Sequence, residues 1–483
     1  MIDVPLPAQD DDYEIVIVSA HAATQSSSQQ PAQQVGRASS AGDGPKDELL
    51  LDAELLDYQA LHSSRPRQTE PLPERYGEMV LQLREGWTRQ SQESGRARRA
   101  CDAGYDQGPD SVLISKGLLE AVAPKGTTIR FAVASCRYPA SRVDREQADA
   151  MFGRLRCLLE LGEADREPPS LLVLAGDQIY ADATAGMFDP KGRRERFNDS
   201  YREAWTAPNA REVLRRIPTY MMLDDHEVDD NWHPDDRFRD ETREWGETAF
   251  REYQLAHSPR GDEPEEPPYH YDFEAGGFGF FVCDTRTGRE GHSRIMRPAQ
   301  FDALKEWLKA RKGSDRPKFV VSPSVVVPFL AETEGKSRYA PRSDGWDGFP
   351  DSQRDLFSWL AGEGIGNVVF LCGDPHISMV SGIDIARPDG APLRGACIIA
   401  SPLYAPFPFA NADPREFLDA GELERGGAPL MRYALQPFDD GHKFVAGDSF
   451  TLVTARQKDS RWQVNAEVHL RDGTTRTATV PLD

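Results

Sequence analysis

The stretch MMLDDHEVDDNW, residues 221–232, carries an apolar run straight into Asp224, Asp225, His226 and Glu227, and Asp229 and Asp230 follow. Carboxylates at that spacing repel one another unless a cation or positive side chains hold them. Other apolar runs end in the same polar way. Cys136 and Arg137 end one, Asp177 and Tyr180 a second, Asp284 and Arg286 another, and Asp374 and His376 a later one. Carboxylates, a phenolate, an imidazole and a thiolate are all metal ligands once deprotonated. Carboxylates outnumber histidines in this set, which favours hard cations (iron, manganese, magnesium or calcium) over an all-nitrogen zinc site. A phenolate suits a hard trivalent ion such as Fe(III). Two ions sharing one carboxylate would clamp the attacking and leaving oxygens of an in-line displacement.

Such a set needs elements that bring its members together. From about Thr127 short apolar runs recur: IRFAVASCR, LLVLAGDQIY, TYMMLDDHE, FGFFVCDTR, KFVVSPSVV, NVVFLCGDPH and CIIASPLY. Continuous apolar runs predict strands buried on both faces. Helical patterns fall between several of them, over 142–161, 195–205, 235–255, 298–312 and 352–363. Alternating strands and helices predict an α/β layered fold. Ligands of such sheets gather beyond the carboxyl ends of the strands. Near the C-terminus, FTLVTAR and WQVNAEVHLRDGTTRTATV predict antiparallel strands with a turn at Asp472-Gly473. The Ser-, Gln- and Gly-rich residues 23–47 bury nothing and predict a flexible tail over 1–48. A partly helical N-terminal extension is expected over 49–125, and the main domain over 126–483.

Composition narrows the function classes. The 483 residues are 39% hydrophobic with a net charge of −22, which makes the chain a poor non-specific binder of nucleic acid. The basic run KGRRER (191–196) predicts a solvated helix face. No CxxC pair is present among the six cysteines, which excludes zinc-ribbon and thioredoxin-like sites. Cys157, Cys283, Cys372 and Cys397 are expected to be small buried hydrophobes. No run approaches membrane-spanning length and no signal pattern is visible at the start, so the expected location is cytoplasmic.

The motifs SC (135–136), GDQIY (176–180), LDDHEVDDN (223–231), DTR (284–286) and GDPH (373–376) stand in the order found in the alkaline phosphatase D (PhoD-like) family of calcineurin-like metallophosphoesterases. SDGWDGFPDSQR (343–354) is similar to that family's D-x-W-D-G-[FY]-P-x-x-R segment. In correct order these motifs are specific, although each alone is weak. The resemblance covers roughly 127–405. It implies a four-layer αββα metallophosphoesterase sandwich, with antiparallel C-terminal strands supplying part of the second sheet. It implies a phosphoesterase acting on phosphodiesters or phosphomonoesters, with a small-molecule or lipid phosphate ester as substrate. In that picture Asp177 bridges two metals. Cys136, Tyr180 and His376 complete a ferric site, and Asp225 and Asp374 complete a calcium site; other divalent metals are compatible. A metal-bound hydroxide would attack phosphorus. His226 would act as acid or phosphate hydrogen-bond donor, with Arg137 and Arg286 steadying the developing charge. For Arg286 a buried ion pair is the equal alternative. Asp229 and Asp230 are expected to be solvated, Asn231 to cap or to support the metal shell, and Trp346 and Asp347 to build a turn or to line the substrate pocket. The rival to an enzyme is a non-catalytic module on the same fold that binds phosphate ligands or partners.

Overall fold

Strand β1 (Thr128–Ala134) buries both faces: Phe131 and Val133 join one core, Ala132 and Ala134 another. Alternate strand residues face opposite sides, so an unbroken apolar run needs a covering layer on each. A computed structural model shows those layers, describing residues 127–138, 144–161, 167–182, 193–235, 240–259, 267–331, 344–387, 390–406 and 412–483. The expected tail (1–48), the extension (49–125) and the first two residues of the KGRRER run lie outside the described residues.

The first sheet runs in the order β15 (Thr475–Pro481), β14 (Arg461–Leu470), β13 (Ser449–Lys458), β1, β2 (Leu172–Ala175), β3 (Thr219–Met222). Its β1, β2 and β3 are parallel, and β13 joins β1 antiparallel. The second runs β10 (Ala420–Arg425), β11 (Ala428–Leu435), β8 (Ile377–Ile385), β9 (Leu393–Ile399), β7 (Val368–Cys372), β6 (Lys318–Ser322), β5 (Phe278–Val282), β4 (Tyr271–Ala275), with β12 (Phe444–Ala446) pairing β8. Here β5, β6, β7 and β9 are parallel. The last three strands of the chain therefore extend the sheet that begins with β1. They do not join the sheet of β5–β9, a correction to the expected allocation.

The sheets pack face to face. Phe131 lies edge-on to Phe280 and Phe319, with ring centroids 5.2 and 4.9 Å away. Helices cover the outer faces. On the first sheet lie α1 (Arg145–Ala148), α2 (Ala150–Leu161), α3 (Arg193–Trp205), α4 (Pro208–Arg216) and α5 (Asp240–Tyr253), with Phe152, Phe197 and Val213 against Leu174. On the second lie α6 (Pro298–Ala310) and α7 (Pro350–Glu363), with Leu304 and Phe357 against Phe370. The layer order is helix, sheet, sheet, helix, as expected. Helix α4 was not singled out by its sequence pattern. It starts on Pro208, and Asp149 accepts from its Asn209 and Ala210 N–H groups at 2.7 and 2.9 Å, which satisfies two donors the helix cannot. Cys283, Cys372 and Cys397 are buried thiols as expected, but Cys157 on α2 is half-buried and disulfide-bonded, which corrects its reading as a buried apolar thiol. No helix among the described residues is long and apolar enough to cross a membrane.

The two sheets approach closely at the carboxyl ends of β2 and β7. A Cβ on Gly373 would sit 2.3 Å from the Ala175 carbonyl oxygen and 2.8 Å from Ser135 Cβ. Backbone stands where a side chain would need to be, so only glycine fits. Gly373→Ala should lower stability by about 1–3 kcal/mol, the usual cost of overpacking. Gly362→Ala on α7, where a Cβ meets nothing within 4 Å, should be neutral or slightly stabilising. Urea-unfolding midpoints check the contrast, and equal midpoints for the two variants would contradict the close approach.

Candidate metal centre

Strand ends from both sheets converge at that approach. Beyond β1 lies Cys136, beyond β2 Asp177 and Tyr180, beyond β3 Asp224 and Asp225, and beyond β7 Asp374 and His376. One carboxylate oxygen from each of Asp177, Asp224, Asp225 and Asp374 lies within 4.8 Å of the others. Cys136 Sγ and the Tyr180 hydroxyl each lie 3.3 Å from Asp177 Oδ2. The Tyr180 hydroxyl also lies 2.8 Å from His376 Nε2. Asp177 thus belongs to the cluster of four carboxylates and also touches the thiol and the phenol. The structure brings together all six residues expected as ligands: Cys136, Asp177, Tyr180, Asp225, Asp374 and His376.

The backbone is unusual at the same places. Cys136, Asp177, Asp374 and His376 have φ of 54°, 56°, 80° and 53°. The left-handed region is uncommon for residues with a Cβ and persists where the surroundings enforce it. Here the enforcement is visible. Cys136 N–H donates to Gly176 O at 3.2 Å, Arg137 N–H to Asp177 O at 2.8 Å, and His376 N–H to Asp374 O at 2.8 Å. Gly176, at φ 92°, is also crowded: a Cβ there would meet Asp224 Cβ at 2.5 Å.

The electrostatics follow from burial of like charges. Burial, then Cys136, Asp225 and Asp224, push the Asp177 carboxyl well above the usual range. Burial and the Asp224 and Asp344 carboxylates do the same to Asp374, against the pull of Arg286. Asp224 is raised to about 7, because burial outweighs Arg286. Asp225 alone goes below its usual range: burial works against it, but Arg286 and His226 win. Burial drives the Cys136 thiol up to about 12. A cluster of carboxylates that cannot all ionise together fits a multivalent cation, whose charge reverses those shifts and deprotonates a coordinating thiol.

Two expectations change. The guanidinium of Arg137 is fully buried in the helical layer, donating to Ala148 O at 3.1 Å and Ala204 O at 2.6 Å and pairing with Asp149 at 3.5 Å. With each nitrogen engaged there it joins α1 to α3, which corrects its expected role of steadying charge on a substrate. Arg286 is also fully buried. It is ion-paired with Asp224, with Asp225 at 3.2 Å and with Asp344, so its ion-pair alternative holds and direct substrate binding does not fit.

His226 stands beside these groups. Its Nδ1 lies 2.8 Å from Asp182 Oδ2, its ring centroid is 4.0 Å from that of Tyr180, and its backbone N–H donates to Asp177 Oδ1 at 3.3 Å. Burial lowers its basicity, but Asp225, Asp182 and Asp230 outweigh burial and raise it to about 10. Asn231 supports the centre, its N–H donating to Asp225 Oδ2 at 2.7 Å. Asp230 is solvated as expected, yet lies 3.8 Å from His226 Nε2. Trp346 and Asp347 are structural: the indole N–H donates to Ser322 Oγ at 3.0 Å, and Asp347 accepts from Leu330 N–H at 3.1 Å. Asp182 and Asp344 do not stand out in the sequence, and Asp224 and Glu227 stand out only as members of an acidic run. The signal for Asp182 is a second carboxylate two residues past Tyr180 in GDQIYAD.

The family model described as PhoD-like phosphatase matches residues 131–464. A solved structure described as "Structure of PhoD" is similar at 15% sequence identity and a TM-score of 0.49, over 75% of this chain and 71% of that chain. No curated protein matches.

The ion network beside the centre links stability to pH. Burial works to raise the Asp344 carboxyl, but Arg286 and Arg289 hold it well below the usual range. A depressed native value adds stability above the unfolded-state value near 4, and that stability is lost as pH falls towards the native value. Asp344→Asn should be less stable than the parent at pH 7, by about 3 kcal/mol. The gap should narrow as the pH falls below about 4. Urea midpoints measured across pH test this, and a gap that stays constant in acid would contradict it.

Proposed function

This chain belongs to the PhoD-like phosphatase family, and from that premise we propose a phosphoesterase that works with two metal ions sharing Asp177. Cys136, Tyr180 and His376 would hold one ion, with Fe(III) the best match to thiol, phenol and imidazole donors. Asp225 and Asp374 would hold the other, with Ca(II) the best match to carboxylates. The observation that carries this reading is the placement of Asp177, whose Oδ2 faces Cys136 and Tyr180 while its carboxylate also belongs to the four-Asp cluster. When bound, such ions supply Lewis-acid stabilisation of phosphate charge and a nucleophile at neutral pH.

The remaining work belongs to the chain. His226, tied at Nδ1 to Asp182, keeps one ring orientation. The Asp182 and Asp230 carboxylates beside the ring favour its protonated form, in which Nε2 would donate to a phosphate oxygen or to the departing alcohol. Arg286 and the backbone bonds hold the carboxylates in register before substrate arrives, so no reorganisation is needed during the reaction. The substrate is a phosphodiester or phosphomonoester of a small molecule or lipid.

Asp177→Asn should lower kcat/KM on a chromogenic phosphate diester and on the matching monoester by at least about 100-fold. In chelator the same variant should unfold no earlier than the parent, because one repelling carboxylate has gone. Retained turnover would remove the reading. His226→Gln should keep its metal content and lose about 10²–10⁴-fold in kcat, the range for a general acid. Loss of metal in that variant would place His226 among the ligands instead.

A further inference from the structure

We infer that Glu227 is a positioning residue for the metal centre: its carboxylate, buried beneath the site, holds the Asp177 turn and the Asp224–Asp225 turn at the separation that the shared site requires. This rests on the reading that these carboxylates hold metal.

Asp177, at φ 56°, follows Gly176 at φ 92°. Consecutive backbone N–H groups of such a turn can face one side and form a concavity that takes an anion. In this chain the anion is a side chain. Asp177 N–H donates to Glu227 Oε2 at 3.0 Å and Gln178 N–H donates to Oε1 at 2.7 Å. The same Oε2 accepts from Asp224 N–H at 2.9 Å. Oε1 accepts from the Gln254 side-chain amide at 2.9 Å, and that amide also donates to the Tyr201 hydroxyl at 3.0 Å. Glu227 is fully buried. Each of these four bonds comes from a neutral donor, and two come from the backbone of residues in the four-Asp cluster. Helix α5 backs the turn closely, because a Cβ on Gly246 would sit 2.6 Å from the Glu227 carbonyl oxygen. The sequence therefore uses one carboxylate to hold a strained turn and to tie it to a second strand end. Replacing one oxygen by an amide nitrogen points N–H against N–H, frees the Asp177 turn to relax and moves its carboxylate.

The test uses the full chain: parent, Glu227→Gln and Gln254→Met. Equilibrium dialysis against Ca(II) gives the affinity, elemental analysis gives bound iron, and urea unfolding in chelator shows whether each apo protein is folded. Glu227→Gln should be folded and bind Ca(II) about 10–100-fold more weakly, the usual effect of losing an outer partner of a ligand. An affinity within about twofold of the parent in a folded variant would make Glu227 a brace for the fold alone. If Glu227→Gln does not fold, Gln254→Met decides by the same sign: a drop of about threefold or more supports positioning, and no drop overturns it. A parent protein that takes up neither ion defeats the metal reading itself and this inference with it, whereas a metal-loaded parent with an indifferent variant defeats only this inference.

Discussion

Mutual repulsion among buried carboxylates is the constraint around which this molecule is arranged. Asp177, Asp224, Asp225 and Asp374 bring oxygens within 4.8 Å of one another where two sheets close over them. In that low-dielectric space each charge interacts far more strongly than in water, so the cluster is costly alone and a strong attractor for cations. The chain offsets part of the cost internally. Arg286 pairs with Asp224 and Asp225 and is itself held by Asp344, which Arg289 also pairs. What the arginine leaves uncompensated lies on Asp177, Asp374 and Asp224, whose carboxyls burial and neighbours push up.

The fold provides the closeness. Parallel strands of each sheet point their carboxyl ends to the same edge, and the face-to-face packing of Phe131 on Phe280 and Phe319 sets the two edges together. Small residues permit the last ångströms, with Gly176 against Asp224 and Gly373 against Ala175. Left-handed backbone at Cys136, Asp177, Asp374 and His376 then re-aims side chains that an ordinary strand exit would send elsewhere. The result is a set of donors on rigid elements, with His226 and its Asp182 partner beside them. A phosphatase needs that combination, because charge stabilisation works best where the groups need no rearrangement.

Much of this was legible in the chain. Strands such as LVLA and VVFLC declared themselves because burial on both faces leaves no polar residue to interrupt them. Their polar endings were legible for the same reason: a run that stops at Asp or Cys marks the edge of a layer. Pairing was not legible. Arg137 and Arg286 stand alike one residue past Cys136 and two past Asp284, yet one guanidinium turns into the helices and the other into the carboxylates. Glu227 reads as one more acid in DDHEVDD, and only its four donors show why it is there. The sheet joined by β13, β14 and β15 was likewise hidden, since alternation shows that a strand has a buried face but not which neighbour covers it.

Anomalous diffraction from crystals of the metal-loaded protein tests the central claim most directly. The account predicts two peaks on either side of the Asp177 carboxylate, one beside Cys136, Tyr180 and His376 and one beside Asp225 and Asp374. A single peak away from Asp177, or none at full loading, would contradict it.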